Sequence, residues 1–487
     1  MFPDAWTPLF APFLILCCRH LVLSTLPTSE NLRSYLNTLF LIEFNTHFPS
    51  KYVYRLTYYG PLIHMLRTPK GSVTLKSIVF VRLKLIYFQF KMELQCAVQN
   101  YEWGKLGKDS EVARLAAVCN STLTIEDSKP YAELWMGTHV NGPCFVPERN
   151  ESLSGYLSHN LDSLGVGAQK EFGDDLPFLF KVLSVRKALS VQAHPNKKHA
   201  EELHKARPDL YKDPNHKPEL AIALTPFEAL CAFRPIEEIK NFVTEVTRIV
   251  LQGKANSLVI LKTAFEALMT QSVAVLKENL DAAVQRLNTS DLATQTKLQF
   301  TLLQRLTTAF PGDVGCWCIY FLNYLILKPG EAIFLGPNVP HAYLFGDCIE
   351  CMACSDNVVR AGLTPKFIDV PTLVGMLEYE SKSPETVLFQ PIIEDAFTKI
   401  WRPPVKDFAV PKIESDGDTN KSYNTIMRHS ASIFLVVSGK GTAADLEQKE
   451  ISKGSVLFLK SSRQLTIDLP EGSSEDLVIY QAMCNIF

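Results

Sequence analysis

Apolar and polar positions divide the chain into stretches with different periods. Between residues 93 and 234, short apolar runs such as 176–185 and 221–233 are punctuated by Gly, Pro and Asn. That is the rhythm of β-strands joined by turns, with some helix. From Pro235 to Phe310 the spacing changes. Ile236, Ile239, Phe242, Val243, Val246, Ile249 and Val250 recur at helical intervals, and residues 282–306 continue with few breakers until Pro311-Gly312. A module of several helices is expected there. Strands are expected to return from Cys316, with a turn at Lys328-Pro329-Gly330, a strand over 331–335 and a second turn over 336–340. The C-terminal part repeats this more weakly: Lys453-Gly454 precedes 456–459 much as Pro329-Gly330 precedes 332–335, and 431–438 and 477–482 supply further strands. Two related β-barrels are implied, one in the middle of the chain and one at its end.

The first 91 residues do not share this organisation. Residues 9–18 are apolar, but Asp4 stands where a signal peptide carries positive charge, no small-residue cleavage site follows, and the run is too short to span a bilayer. Residues 78–90 alternate weakly around Arg82 and Lys84, without the turn-and-strand rhythm of a packed domain. Charge marks the same boundary. Residues 1–91 hold 10 Lys+Arg and 3 Asp+Glu, a net of +7. The chain totals of 49 and 51 therefore leave 39 and 48 for the remainder, a net of −9. Residues 1–91 are expected to be an extension outside the fold and dispensable, with Met92 a natural start. The rival expectation is a targeting or anchoring segment.

Length and composition narrow the class. At 487 residues the chain can form two or three domains, and 47% apolar with 21% charged residues is ordinary for a soluble globular protein. A net charge of −2 points to neither nucleic acid nor an acidic membrane surface as partner. The twelve cysteines are scattered, as reduced thiols in a cytoplasmic protein would be. Cys348, Cys351 and Cys354 invite an iron–sulfur assignment, but Val358 stands where a fourth Cys would be needed.

Four segments concentrate polar groups that a barrel would bring together. In LSVQAHPNK (189–197), Ser190, Gln192 and His194 share one face of a strand. In NHKPELAIAL (215–224), Glu219 immediately precedes an apolar strand. In LGPNVPHAYL (335–344), His341 follows a Pro-braced turn, and in SDNVVRAGLTPKF (355–367), Arg360 and Lys366 flank a short Gly-containing turn. Two His, one Glu and one Gln oxygen form a plausible four-ligand set for a divalent metal, with donors that suit zinc and also iron, manganese or cobalt. Each has a plainer alternative: satisfied core histidines, a Glu219–Lys ion pair, and a carboxylate partner for Arg360.

Taken together with QNYEWG (99–104), YAELWMGTH (131–139), LPFLFKVLS (176–184) and ECMACSDN (350–357), these segments make residues 92–487 resemble type I mannose-6-phosphate isomerase, also called phosphomannose isomerase. The resemblance implies a mainly β fold with a helical module, namely two cupin-like jelly-roll barrels plus an α-helical domain. The parts would be a catalytic metal-binding cupin domain over 92–234 and 316–400, a helical domain over 235–315, and a C-terminal cupin-like domain over 401–487. It implies one zinc per chain, held by Gln192, His194, Glu219 and His341, with Arg360 as the active-site arginine. Lys181, Ser190, Lys217, Glu350 and Lys366 match pocket positions. The implied reaction interconverts mannose 6-phosphate and fructose 6-phosphate through a metal-stabilised enediolate and feeds GDP-mannose synthesis. Partners would be a small sugar phosphate only, for a monomeric cytoplasmic enzyme without nucleic acid or membrane. The extension lies outside the family pattern, and Glu102 stands where relatives often carry Ala.

The general base stays open among Glu350, Lys217, an unligated ring nitrogen and metal-bound water. No Gly-rich phosphate loop is present, so Lys, Arg and Ser side chains must hold the phosphate. Two His and a carboxylate also suit an iron dioxygenase, and a non-catalytic sugar-binding cupin is a further alternative. The cluster of Lys181, Lys217, Arg360 and Lys366 favours an anionic substrate, and retention of Arg360 with the full ligand set favours an enzyme. The C-terminal barrel is expected to bind no metal, since alignment of 334–335 with 458–459 puts Leu465 where His341 stands.

Overall fold

The computed structural model describes residues 52–59, 62–69, 91–246, 257–415, 422–445, 448–468 and 476–486. The chain separates into two units, Met1–Gln89 and Phe90–Phe487. In the first, Tyr52–Tyr59 pairs antiparallel with Leu62–Pro69. The sequence expectation passed over this hairpin, although aromatic and branched residues on either side of Gly60-Pro61 favour paired strands. The segments 9–18 and 78–90 lie outside the described residues. Among the described residues, no helix is long and apolar enough to cross a membrane.

The second unit is rich in sheet. A ten-stranded sheet is organised around one long strand, His341–Ala353. It pairs with Phe178–Val185, Glu219–Ala223, Phe227–Phe233 and Val191–Ala193, all antiparallel. One strand serves so many neighbours because it bends at Gly346, where φ is +113° and a Cβ would stand 2.5 Å from Pro226 O. The half before the bend faces 191–193 and 227–233, and the half after it faces 178–185 and 219–223. Pairing continues outward through Glu133–Met136 to Ala97–Gln99 on one side and to Leu322–Leu327 on the other.

The two barrels expected from the sequence are not seen as closed objects. Among the described residues, the end strands of the six-stranded path through the ten-stranded sheet do not pair with each other, and the same holds for the seven-stranded sheet near the C-terminus. The local repeat is present: Gly330 (φ +86°) and Gly454 (φ +96°) each turn the chain just before a four-residue strand, Ala332–Leu335 and Val456–Leu459.

Within the described residues the helical stretch forms as the periodicity predicts: Ile236–Val246, Ser257–Met269, Val273–Asn288, Leu292–Lys297 and Phe300–Ala309, while Ile249 and Val250 lie outside them. Ser272 and Asp291 cap two of these helices by accepting the backbone N–H groups of Val275 and Thr294. Leu276, Leu280, Ala283 and Leu287 form one buried stripe, joined in a common core by Phe233, Phe265 and Trp317. Strands resume at Leu322 rather than Cys316, because residues Val314–Tyr320 form a 3-10 helix. Asp313 is the cause: its carboxylate accepts the N–H groups of Gly315, Leu363 and Thr364 and so turns an apolar run into a helix.

The strand Lys91–Glu93 leaves the local order and joins the C-terminal sheet against Val456–Leu459. Met92, Leu134, Phe180, Trp401 and Phe458 then share one apolar core. Lys91, on the extension side of the charge boundary, is buried here. Its Nζ donates to Ala443 O at 2.6 Å, and its backbone N–H donates to Asp445 Oδ2 at 3.0 Å.

Deleting residues 1–89 is therefore expected to leave the urea-unfolding midpoint of the second unit unchanged. Deleting 1–91 should lower stability by about 1–3 kcal/mol, the scale of leaving buried polar groups without a partner. Equal midpoints for the two truncations would show that Lys91 contributes nothing to the fold.

Candidate metal centre and active site

Three of the predicted ligands meet. His194 follows the short strand Val191–Ala193, Glu219 opens the strand Glu219–Ala223, and His341 opens the long central strand. Their candidate donor atoms lie within 4.8 Å of one another, and all three residues are buried. His194 Nε2 stands 3.1 Å from Glu219 Oε1, and His341 Nε2 stands 3.6 Å from Glu219 Oε2. Gln192 is the register partner of His341 on one side and of Arg360 on the other. Its Oε1 accepts from Ser190 Oγ at 3.0 Å, which orients the carboxamide.

The hydrogen bonds around the two rings select a ligand form. His194 Nδ1 contacts Asn357 O at 2.7 Å and His341 Nδ1 contacts Val339 O at 2.9 Å. A carbonyl can only accept, so each Nδ1 carries the proton, and a neutral ring presents its Nε2 lone pair to the centre. Both Nε2 atoms are buried without a hydrogen-bond partner. A lone pair facing a carboxylate at 3.1 Å is repulsive unless a cation lies between them. Burial pulls His341 down to about 4, against the opposing pull of Glu219, so its ring is neutral at neutral pH. Burial pushes Glu219 up, but positive charge at His194, with Lys217 and His341 behind it, outweighs burial and holds the carboxyl well below its ordinary range; with both rings neutral, a cation between the three residues would supply that charge. A neutral imidazole and an ionised carboxylate are the states a metal requires.

The other polar residues form a charged wall. Lys181 lies opposite both Glu350 and Trp135 in the sheet. Its Nζ is 3.0 Å from Glu350 Oε2 and 3.3 Å from Glu133 Oε2, and it sits 5.4 Å from the Trp135 ring centre. Trp135 Nε1 donates to the same Glu133 oxygen at 2.5 Å. Burial would discharge Lys181, but Glu133 and Glu350 overcome it and raise its pKa. Burial also pushes Glu350 up, to about 7, although Lys181 opposes the shift. Lys217 Nζ lies 3.7 Å from Glu219 Oε1.

Arg360 differs from these. It is half-buried on the strand Val359–Gly362, and burial alone lowers its pKa. Among the described residues no carboxylate pairs with it, so the alternative of a structural ion pair is not what the structure shows. Lys366 is exposed in the following turn, where its backbone N–H donates to Thr364 Oγ1, and no contact carries its ammonium to the other site residues.

Sequence reasoning missed several supporting residues. Tyr343 donates its hydroxyl to Glu219 Oε2 at 3.2 Å. It lies two positions after His341 on the same strand, so the period of two was the available signal. Glu133 and Trp135 stand in the same relation to each other. Asn357 is held by Asp213 and Asn215, which its Nδ2 contacts through backbone oxygens at 2.6 and 2.9 Å, and no local pattern announces that loop-to-loop tie. Cys348 and Cys351 are free thiols three positions apart on one strand and join apolar clusters on opposite faces, so they do not converge on a common ligand.

Comparison with known proteins agrees with this geometry. Residues 91–236 match the type I phosphomannose isomerase catalytic domain, and residues 237–322 match that family's helical insertion domain. The chain is 46% identical over 419 residues to mannose-6-phosphate isomerase of Homo sapiens, covering 80% of this chain and 98% of the human protein. It is 40% identical over 412 residues to mannose-6-phosphate isomerase 1 of Arabidopsis thaliana, covering 80% and 93%. A crystal structure of mannose 6-phosphate isomerase bound with zinc and yttrium superimposes with a TM-score of 0.70 at 30% identity, covering 82% of this chain and all of that one. The apo form from Salmonella typhimurium gives the same values.

Tyr343→Phe should weaken metal binding by about 10–100-fold, the usual cost of losing a partner behind a ligand. Competition with a chromophoric chelator measures this. Unchanged affinity would show that the Tyr343 hydroxyl does not support Glu219.

Proposed function

As the chain belongs to the type I phosphomannose isomerase family and interconverts mannose 6-phosphate and fructose 6-phosphate, we propose that it does so at a single zinc site held by His194, Glu219, His341 and Gln192. The observation that carries the site is the pair of buried, partnerless Nε2 atoms facing one ionised carboxylate. When bound, zinc supplies a Lewis acid that polarises a sugar oxygen. Mixed nitrogen and oxygen donors fit it.

The residues of the chain perform the rest. Glu350 is the group that carries the proton between C1 and C2, since a buried carboxyl balanced near pH 7 can both take and return it. Lys181 keeps Glu350 in place and Glu133 keeps Lys181 in place. Negative charge that develops on the sugar oxygens in the enediolate-like transition state is met by Arg360, a guanidinium with no carboxylate of its own among the described residues. Lys217 adds positive charge beside the ligands, and exposed Lys366 is the cation offered to the phosphate. Ser190 orients Gln192.

The ten-stranded sheet corresponds in this proposal to a metal-binding cupin-like domain (92–234 and 316–400), and the helices to a separate domain (235–315). Residues 401–487 form a cupin-like domain without metal. Leu465, aligned with His341, supports this: it is buried among Phe434, Val436 and Ile467. The enzyme is taken to be monomeric and cytoplasmic, supplying the mannose 6-phosphate used for GDP-mannose synthesis.

Metal analysis of purified protein should give one zinc per chain, and two tightly bound ions would contradict the assignment of the C-terminal domain. His341→Ala should lose the metal and nearly all formation of fructose 6-phosphate in a coupled assay. Retention of zinc with normal turnover would sink the ligand set.

Arg360→Ala should lower turnover by about 10²–10³-fold with zinc retained, the range for a lost transition-state donor. Arg360→Lys should recover only part of it, because an ammonium lacks the planar fork. Parallel loss of zinc and turnover in Arg360→Ala would make the residue structural.

A further inference from the structure

Three thiols outside the metal cluster lie together: Cys96, Cys119 and Cys144. Gln95 and Phe145 exchange both backbone hydrogen bonds, each at 2.9 Å, and so form a hydrogen-bonded antiparallel pair. The next opposed residues, Cys96 and Cys144, then occupy a non-hydrogen-bonded position. Their backbone groups turn outward accordingly. Cys96 is held through its N–H and C=O by the Asn120 side chain, at 2.9 and 2.7 Å, and Cys144 bonds to Gly137 O and Leu153 N. Such positions place Cα atoms roughly 4.5 Å apart, inside the span of about 4.4–6.8 Å that a disulfide bridges. The two sulfurs are 3.7 Å apart, and both residues are buried.

Cys119 gives this buried pair a route to solvent. It is the last residue of the helix Glu111–Cys119 and is only half-buried. Its neighbour Asn120 is the residue that clamps the Cys96 backbone, and Cys119 packs against the apolar cluster that holds Cys96 and Cys144. The neighbouring Cys96 lowers the Cys119 thiol against the effect of burial, while burial raises Cys96. The thiolate is the form that oxidants attack.

We propose that Cys96 and Cys144 are a redox-active pair that closes to a disulfide under hydrogen peroxide, with Cys119 as the thiol that meets the oxidant. The Cys119 thiolate attacks the peroxide: an S–O bond forms, the O–O bond breaks, and the departing hydroxide takes a proton to leave as water. Cys96 attacks the resulting sulfenic sulfur, forming S–S, and the hydroxyl leaves with the Cys96 proton as a second water. Cys144 then attacks Cys96, and Cys119 departs as a thiol with the Cys144 proton. Overall, two thiols and one peroxide become one disulfide and two waters.

The pair abuts the wall of the active site. Cys144 Sγ accepts the Gly137 N–H at 3.3 Å and lies 3.6 Å from Trp135 O. Closing the sulfurs from 3.7 Å to about 2.05 Å draws Cys144 away from both contacts. The strand Glu133–Met136 carries Glu133 and Trp135, the residues around Lys181. Turnover should therefore fall on oxidation without loss of zinc. This effect rests on the role given to Lys181, whereas formation of the bond does not.

The zinc-loaded full chain is treated with hydrogen peroxide, its free thiols are alkylated, and non-reduced digests are read by mass spectrometry. A peptide pair linked through Cys96 and Cys144, lighter by two hydrogen atoms, is expected together with a several-fold fall in turnover that dithiothreitol reverses. Cys144→Ala should keep basal turnover, lose the linked peptide and resist peroxide, and Cys119→Ser should form the link more slowly. Absence of the linked peptide in the unsubstituted chain overturns the proposal, whatever the variants do. A linked peptide with full turnover overturns the coupling to the active site. Normal turnover in Lys181→Ala would instead overturn the role of Lys181 and leave the thiol pair standing.

Discussion

A buried carboxylate faces two buried ring nitrogens whose hydrogen-bonding capacity points inward. Everything else about the site follows from that arrangement. Removing the Glu219 carboxylate from water costs several kcal/mol. Tyr343 at Oε2 and Lys217 at Oε1 offset part of this. The remaining space is bounded by the Nε2 atoms of His194 and His341, whose other nitrogens are committed to backbone carbonyls. Only a cation relieves all three groups together. The fold supplies the necessary rigidity by tying the loop that carries Asn357 to Asp213 and Asn215, so that His194 is oriented from behind.

The strand His341–Ala353 connects this centre to the charged wall of Lys181, Glu350 and Glu133. It contributes His341 and Tyr343 before its bend and Glu350 after it. Glu350 and Glu133 together hold one lysine, and the competition between burial and that lysine leaves Glu350 balanced near neutrality. Arg360, by contrast, has no carboxylate to neutralise it among the described residues. A site that pairs some of its cations and leaves another unpaired suits a substrate that brings its own negative charge.

Support for this wall comes from distant parts of the chain. Lys91–Glu93 completes the C-terminal sheet, and Met92 then joins Leu134 and Phe180 in a core that also takes in Trp401 and Phe458. Leu134 sits between Glu133 and Trp135, so residues far apart in sequence stabilise the strand on which Lys181 depends. The cysteine pair touches the same strand. Chemistry at those sulfurs is transmitted by a hydrogen bond and a close contact to backbone atoms rather than across a long path.

Much of this was legible in the sequence. The helical periodicity from Ile236 onward, the turns at Gly330 and Gly454, and the shared face of Ser190 and Gln192 are consequences of local geometry, which neighbouring residues determine without help from the rest of the chain. The family motifs likewise identified the reaction. The 3-10 helix at Val314–Tyr320 was not legible, because an apolar run looks alike as strand or helix until Asp313 is seen accepting N–H groups from residues about 50 positions away. Nor could local pattern pair Lys91–Glu93 with Val456–Leu459, unite Glu133 with Lys181, or place Cys96 against Cys144. Those contacts join segments that the sequence keeps apart. They form only when burial of the two strand faces selects one register, and that selection depends on the whole core rather than on any short stretch of residues.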